Sequence, residues 1–106
     1  MVIYEVNISV NNEIFQDFYD WLQPHVKKIL SFTGFLHCEI GLIENENDDN
    51  KYHLRINYEI DSYDNLQNYL TNHAPQMRAD TVQQFGEKFS VTRRVILEPV
   101  TLSSEI

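Results

Sequence analysis

The sequence predicts a single α+β domain in which one antiparallel sheet carries helices on only one of its faces. Three observations support this prediction. Four segments alternate between apolar and polar residues, as half-buried strands do. Two longer segments repeat apolar residues at helical spacing. The chain has 106 residues, 42% of them hydrophobic, which suffices for one domain (residues 1–106) with one modest core.

A strand and a helix make up the first predicted unit. Residues 2–10 alternate from the start and are rich in β-branched and aromatic types, which favours a strand. Asn11 and Asn12 are expected to turn the chain and to cap the helix that follows. Pro24 lies inside this helix and is expected to kink or split it, because proline lacks a backbone donor. Gly34 is expected to end the unit.

A hairpin and a second helix are predicted next. Residues 35–43 and residues 52–60 alternate, and the polar acidic loop between them predicts that they pair as a hairpin. That loop lacks the glycine and the terminal glutamate of a calcium-binding EF-hand loop. Either Asp61 or Ser62 is expected to cap the helix that follows.

The last part of the chain is predicted to be a broken helix and a strand. The residue before a proline avoids the α region, so one helix ends near Ala74 and Pro75 opens another. Gly86 is expected to end this second helix. Residues 89–98 alternate as the last strand. The tail, residues 100–106, either frays or extends the strand onto a neighbour.

The predicted element order is therefore β-α-β-β-α-β. Two such halves interleave into a four-stranded antiparallel sheet with the helices on one face, which is the ferredoxin-like fold. Its first and third strands are central neighbours. Asn7 is thus expected to lie beside Arg55 and Asn57.

The composition of the chain indicates which partners and which cellular location to expect. The formal net charge of -8 argues against nucleic acid and against anionic membrane surfaces as partners. No apolar run approaches the ~20 residues of a membrane helix. Cys38 is the only cysteine, so an internal disulfide is excluded. The first residues alternate as a strand does, unlike a signal peptide. We therefore expect a cytoplasmic protein.

The polar face of the predicted sheet carries carboxylates, amides, imidazoles and a guanidinium. The residues that we expect to bind a ligand there are Asn7, His37, Glu39, Arg55 and Asn57. One hairpin register that keeps the apolar positions on one face sets Glu39 opposite Arg55 and His37 opposite Asn57. The alternative is an ordinary solvated sheet face. A dimer that covers this face would favour the ligand site, because buried charges need partners.

Acid–base catalysis and metal binding are the two kinds of chemistry to consider for these residues. The candidates for general base are His37 and His73, and Arg55 or Asn7 would stabilise an oxyanion. A metal site is not expected. In the register above, His37 and His53 are about 13 Å apart, and the remaining histidines form no metal-binding motif. We expect no cofactor.

Arg93 conflicts with the pattern of the last strand. Its side chain and that of Arg94 point to opposite faces, and Arg93 shares the apolar phase of Val91 and Val95. Either a bulge re-aims Arg93, or Arg93 reaches an acid such as Asp80.

Several stretches resemble one uncharacterised bacterial family, domain of unknown function 4286. They are VIYEVN at the start, the helix with Trp21-Leu22 and His25, Gly34-Phe35, and LQNYLTNHAPQMRADTVQQFGEKFSVTRR. The most specific part is HAPQMRAD followed by FG and RR. The family is similar to the dimeric α/β-barrel superfamily, which includes cofactor-independent monooxygenases, haem-degrading enzymes and lactone isomerases. This resemblance implies a homodimer with polar faces inward, and it implies no reaction.

Three functions are compatible with the sequence. The first is a homodimer that binds a small organic molecule in a cavity between or over the sheets. The second is a cofactor-independent enzyme of the monooxygenase or isomerase type. The third is a structural protein that binds another chain and no ligand.

Overall fold

A computed structural model describes residues 1–45 and 49–105 of the chain. Its regular elements are β1 (Val2–Asn11), α1 (Phe15–Leu30), β2 (Phe35–Ile43), β3 (Lys51–Ile60), α2 (Tyr63–Asn72), α3 (Ala74–Phe85) and β4 (Phe89–Leu97). The middle of the predicted acidic loop, residues 46–48, lies outside the described residues, as does Ile106.

The strands form one antiparallel sheet in the order β2-β3-β1-β4, which confirms the ferredoxin-like prediction. β1 and β3 are the central neighbours, and Asn7 lies directly opposite Arg55. Asn57 lies opposite Glu5, one position further along the same face. The predicted neighbourhood of these side chains is therefore correct.

The predicted register of the hairpin is wrong by two residues. Glu39 lies opposite Asn57, His37 opposite Glu59 and Gly41 opposite Arg55. A shift of two residues leaves every side chain on its own face, so the apolar pattern could not choose between the two registers. An irregularity between Phe35 and His37 also displaces the start of β2.

The entry to α1 differs from the prediction. Asn11 is the last residue of β1, and a 3-10 helix at Asn12–Ile14 leads into α1. The side chain of Asn11 makes no capping hydrogen bond. Pro24 lies inside α1, which continues past it as one helix to Leu30. Of the two predicted alternatives, the split at Pro24 is therefore wrong, and the kink stays a prediction.

The predicted ends of the later helices are correct. Ser62 caps α2, because its hydroxyl accepts a hydrogen bond from the backbone N–H of Asn65 at 3.2 Å. His73 separates α2 from α3, and Pro75 lies in the first turn of α3. Gly86 follows α3 with φ of 61°, a left-handed conformation that favours glycine.

The hydrophobic core lies between the sheet and the three helices. The even-numbered side chains of β1 and β3 point toward the helices, and all of them except Tyr52 are buried. α1 contributes Phe18, Leu22, Val26 and Ile29 to this core, and α2 contributes Leu66 and Tyr69. None of the described helices covers the opposite face of the sheet, and we call it the open face. None of the described helices is long and apolar enough to cross a membrane.

Candidate functional site

The open face holds the five residues that the sequence predicted to bind a ligand, but it does not bring all of them together. Asn7 and Arg55 face each other across β1 and β3, and Glu39 and Asn57 across β2 and β3. His37 is exposed near one end of β2 and forms an ion pair with Glu59, with Nε2 to Oε2 at 2.6 Å.

His73 does not lie on the open face. It stands between α2 and α3, where its ring stacks on Phe32 with the centroids 4.2 Å apart. The three candidate catalytic residues, His37, His73 and Arg55, are therefore divided between the two sides of the sheet.

An ion pair between buried Glu5 of β1 and exposed Arg94 of β4 lies on the open face. Glu5 is only 5% exposed although it is charged. Arg94 Nε donates to Glu5 Oε1 at 2.7 Å, and Asn7 Nδ2 donates to the same oxygen at 3.0 Å. These two hydrogen bonds hold the pKa of the Glu5 carboxyl below its usual range. Asn7 and Arg94 are thus already engaged with a protein group.

One polar atom of the open face is left without a partner. Asn57 Oδ1 is buried and accepts no hydrogen bond from the described residues. A buried acceptor without a donor lowers the stability of the fold by roughly 1–3 kcal/mol. The carbonyl side of this amide is therefore a point where a further donor would stabilise the open face.

Three side chains on the open face form a hydrogen-bonded series that the sequence analysis did not predict. Ser9 Oγ and His53 Nδ1 are 2.8 Å apart, and His53 Nε2 lies 2.9 Å from Asp49 Oδ2. Ser9 and His53 are opposite each other on β1 and β3. Alternation put both on this face, but only the loop conformation brings Asp49 to the imidazole.

A second site lies on the other side of the sheet. A cavity of about 100 Å³ opens between β1, β4, α1 and α3, and we call it the helix-side cavity. Its inner wall is mostly apolar, with Val6, Ile8, Phe18, Leu22, Ile56, Met77 and Val91 among its residues. Its polar side chains include Tyr4, His25, Arg78 and Arg93.

Arg93 lies at this cavity, which neither sequence expectation foresaw. β4 pairs with β1 in continuous register, so no bulge turns Arg93 away from the helices. Its guanidinium lies close enough to interact electrostatically with the Tyr4 hydroxyl. None of the salt bridges among the described residues joins it to the predicted acid, Asp80. Arg78 Nη2 donates to the same hydroxyl at 3.2 Å. The conflict of Arg93 with the apolar pattern was the sequence signal for a polar site on this face.

The remaining polar groups of the helix-side cavity are electrically neutral near pH 7. Burial raises the pKa of Tyr69 to about 12 and raises that of Tyr58 also. Burial lowers the pKa of His25, whose ring stacks on that of Trp21. The two arginines are therefore the source of positive charge at this cavity.

The described residues contain no group of three or more His, Cys, Asp or Glu side chains that could hold a metal ion. Along β3, the position opposite His37 is six residues from His53, about 20 Å at 3.3 Å per residue. A single ion could not bridge these two histidines.

The fold and the two faces define a ferredoxin-like α+β domain with an open sheet face and a helix-side cavity. The chain belongs to the family described as domain of unknown function DUF4286, whose sequence profile matches residues 1–100. No curated protein sequence matches the chain.

Solved structures share this fold at low sequence identity. A proposed antibiotic biosynthesis monooxygenase from Deinococcus radiodurans is 15% identical, with 98% of this chain and 100% of that chain covered and a TM-score of 0.67. SnoaB, a cofactor-independent oxygenase from Streptomyces nogalater, is 14% identical, with coverage of 97% and 98% and a TM-score of 0.56. A dimeric ferredoxin-like protein from an uncultured marine organism is 15% identical, with coverage of 93% and 98% and a TM-score of 0.59. These similarities establish the fold alone.

Proposed function

We propose that this protein is a homodimer that binds a small organic molecule in the helix-side cavity of each protomer. The observation that carries the proposal is the cavity itself. Ligand sites are concave and mostly apolar, with a few polar groups that fix the orientation of the ligand. The helix-side cavity has an apolar wall, and Tyr4, Arg78 and Arg93 supply its polar groups.

Three features of the open face support dimerisation through it. Glu5 carries a shielded charge on a face that no helix covers, and Asn57 Oδ1 lacks a donor. Ile3 and Ile96 pair across β1 and β4 on the same face and add apolar surface. A second copy of the chain packed here would supply donors and cover these isoleucines. Among proteins of similar fold, the marine protein is described as dimeric.

The residues predicted from the sequence take a different role in this proposal. Asn7, His37, Glu39, Arg55 and Asn57 lie on the face that we assign to the dimer interface, and ligand binding by them stays a prediction. Catalysis by His37, His73 or Arg55 also stays a prediction. We propose binding and no reaction, because these three residues do not converge on one space. A cytoplasmic location is part of the proposal and rests on the composition.

A cavity-filling variant tests the ligand site. Val91 lines the helix-side cavity from β4, and Val91→Phe is expected to occupy its space. Saturation-transfer NMR with small aromatic and branched aliphatic fragments should detect binding to the wild type. Affinity for the same fragments should fall at least about tenfold in Val91→Phe, which corresponds to roughly 1.4 kcal/mol.

Val95→Phe is the matched control, since Val95 is on the same strand and also packs against the core. This variant should keep the fragment affinity of the wild type. The proposal fails if no fragment binds the wild type, or if the two variants bind alike. Thermal unfolding of both variants verifies that they remain folded.

A further inference from the structure

Two arginines from distant parts of the chain lie beside one tyrosine. Arg78 of α3 donates a hydrogen bond from Nη2 to the Tyr4 oxygen at 3.2 Å. Arg93 of β4 lines the same cavity and lies close enough to interact electrostatically with both Tyr4 and Arg78. Partial burial and the nearby charge of Arg78 lower the pKa of Arg93. Like charges this close repel each other. Their proximity therefore costs free energy that an anion between them would offset.

Among the described residues, no acidic side chain forms a salt bridge with either arginine. The ion pairs of the described residues join Glu5 to Arg94, Glu59 to His37 and Asp49 to His53, and none includes Arg78 or Arg93. No aspartate or glutamate lines the helix-side cavity. The sequence contains 16 acidic and 8 basic residues, so acids were available in excess. The positive charge at this cavity is thus a local feature that runs against the composition.

The geometry around the arginines suits an oxyanion. Guanidinium groups bind carboxylates through paired hydrogen bonds, and charge-assisted bonds are the strong ones. The Tyr4 oxygen accepts a hydrogen bond from Arg78, so its own hydrogen remains available as a donor. The phenol groups of Tyr58 and Tyr69 stay neutral at pH 7, because burial raises their pKa values, and they do not repel an anion.

The size of the cavity limits the apolar part of the ligand. Its volume is about 100 Å³. An engineered cavity of about 150 Å³ is known to hold benzene. A body of about four to six carbon atoms therefore fits with small adjustments of the wall.

We propose that the ligand of the helix-side cavity is a small organic acid. Its carboxylate lies between Arg78 and Arg93, and its short aliphatic or aromatic body lies against the apolar wall. This inference rests on the proposed function and adds the chemical class of the ligand.

Matched pairs of acids and neutral amides test the inference. Isothermal titration calorimetry of the full-length protein would compare benzoate with benzamide and 3-methylbutanoate with 3-methylbutanamide. The acids should bind at least about tenfold more tightly than the amides. Arg78→Gln and Arg93→Gln should each weaken binding of the acids by roughly tenfold to a hundredfold and leave the amides almost unchanged.

Lys27→Gln is the matched control, because it removes one positive charge from the exposed surface of α1, away from the cavity lining. It should bind the acids as the wild type does. If a glutamine variant fails to fold, Arg78→Lys and Arg93→Lys replace it; these should retain part of the affinity because the charge remains. If acids and amides bind with equal affinity and Val91→Phe loses both, the proposal of an organic acid is wrong. The proposed binding of a small molecule in the cavity then still holds. Absence of any binding would overturn both.

Discussion

Replacing Phe18 with alanine is expected to lower the free energy of unfolding by about 3–5 kcal/mol. Phe18 is fully buried. Its ring centroid lies 4.9 Å from that of Phe85 and 5.5 Å from that of Phe89, so it joins α1 to α3 and to β4. Truncation removes these contacts and leaves a space that the surrounding helices cannot fill completely.

The space left by Phe18 is continuous with the helix-side cavity, because this ring forms part of the cavity wall. Phe18→Ala should therefore also admit larger ligands, and naphthoate should bind it more tightly than the wild type. Urea denaturation measures the stability, and calorimetry measures the affinity. Phe15→Ala is the control, since Phe15 is partly buried and stacks on Tyr52 away from this cavity. A loss of stability no larger than that of Phe15→Ala would contradict the assignment of Phe18 to the core.

Gly34→Ala is expected to cost about 2–4 kcal/mol of stability. Gly34 has φ of 89°, which an alanine adopts only with strain. A Cβ at this position would lie 2.6 Å from the Cβ of Asn65 and 2.7 Å from Oδ1 of Asp61. The backbone N–H of Asn65 donates the capping hydrogen bond of α2 to Ser62 Oγ, so the substitution disturbs the start of that helix.

Gly41→Ala separates this effect from a general effect of glycine replacement. Gly41 lies within β2, and a Cβ there would meet no atom within 4 Å. Gly41→Ala should change the free energy of unfolding by less than about 1 kcal/mol. We expect a small increase in stability, because glycine weakens strands. Chemical denaturation of both variants measures the difference. Equal effects at the two positions would show that the turn at Gly34 tolerates a side chain.

The order of elements was predictable because each has a strong local signal. Alternation identified the strands, and Ser62, Pro75 and Gly86 marked helix ends through general rules of capping. The hairpin register was not predictable, since a shift of two residues preserves the pattern on both faces. The course of α1 past Pro24 was not predictable either. It depends on packing of Leu22 and Val26 in the core.

The helix-side cavity could not be predicted from the sequence for a different reason. Its wall consists of apolar side chains from several elements, and each of them is typical of a core. Whether such side chains fill a core or leave a space depends on how α1 and α3 pack on the sheet. Only Arg93 gave a local signal, and it was seen as a conflict with the pattern of β4. Its neighbour at the Tyr4 hydroxyl, Arg78, became apparent in three dimensions alone.

The central claim is that the two faces of the sheet have separate roles, with the open face joining two copies and the helix-side cavity binding the ligand. Thr92 is exposed on the open face of β4 and lies opposite Asn7. A bulky charge here should separate two paired sheets. Gln83, exposed on α3, provides the matched control position.

Sedimentation velocity at micromolar concentration tests this claim most directly. The wild type and Gln83→Arg should sediment as dimers and Thr92→Arg as a monomer. A monomeric wild type, or a dimer that Thr92→Arg leaves intact, would contradict the assignment of the open face to the interface.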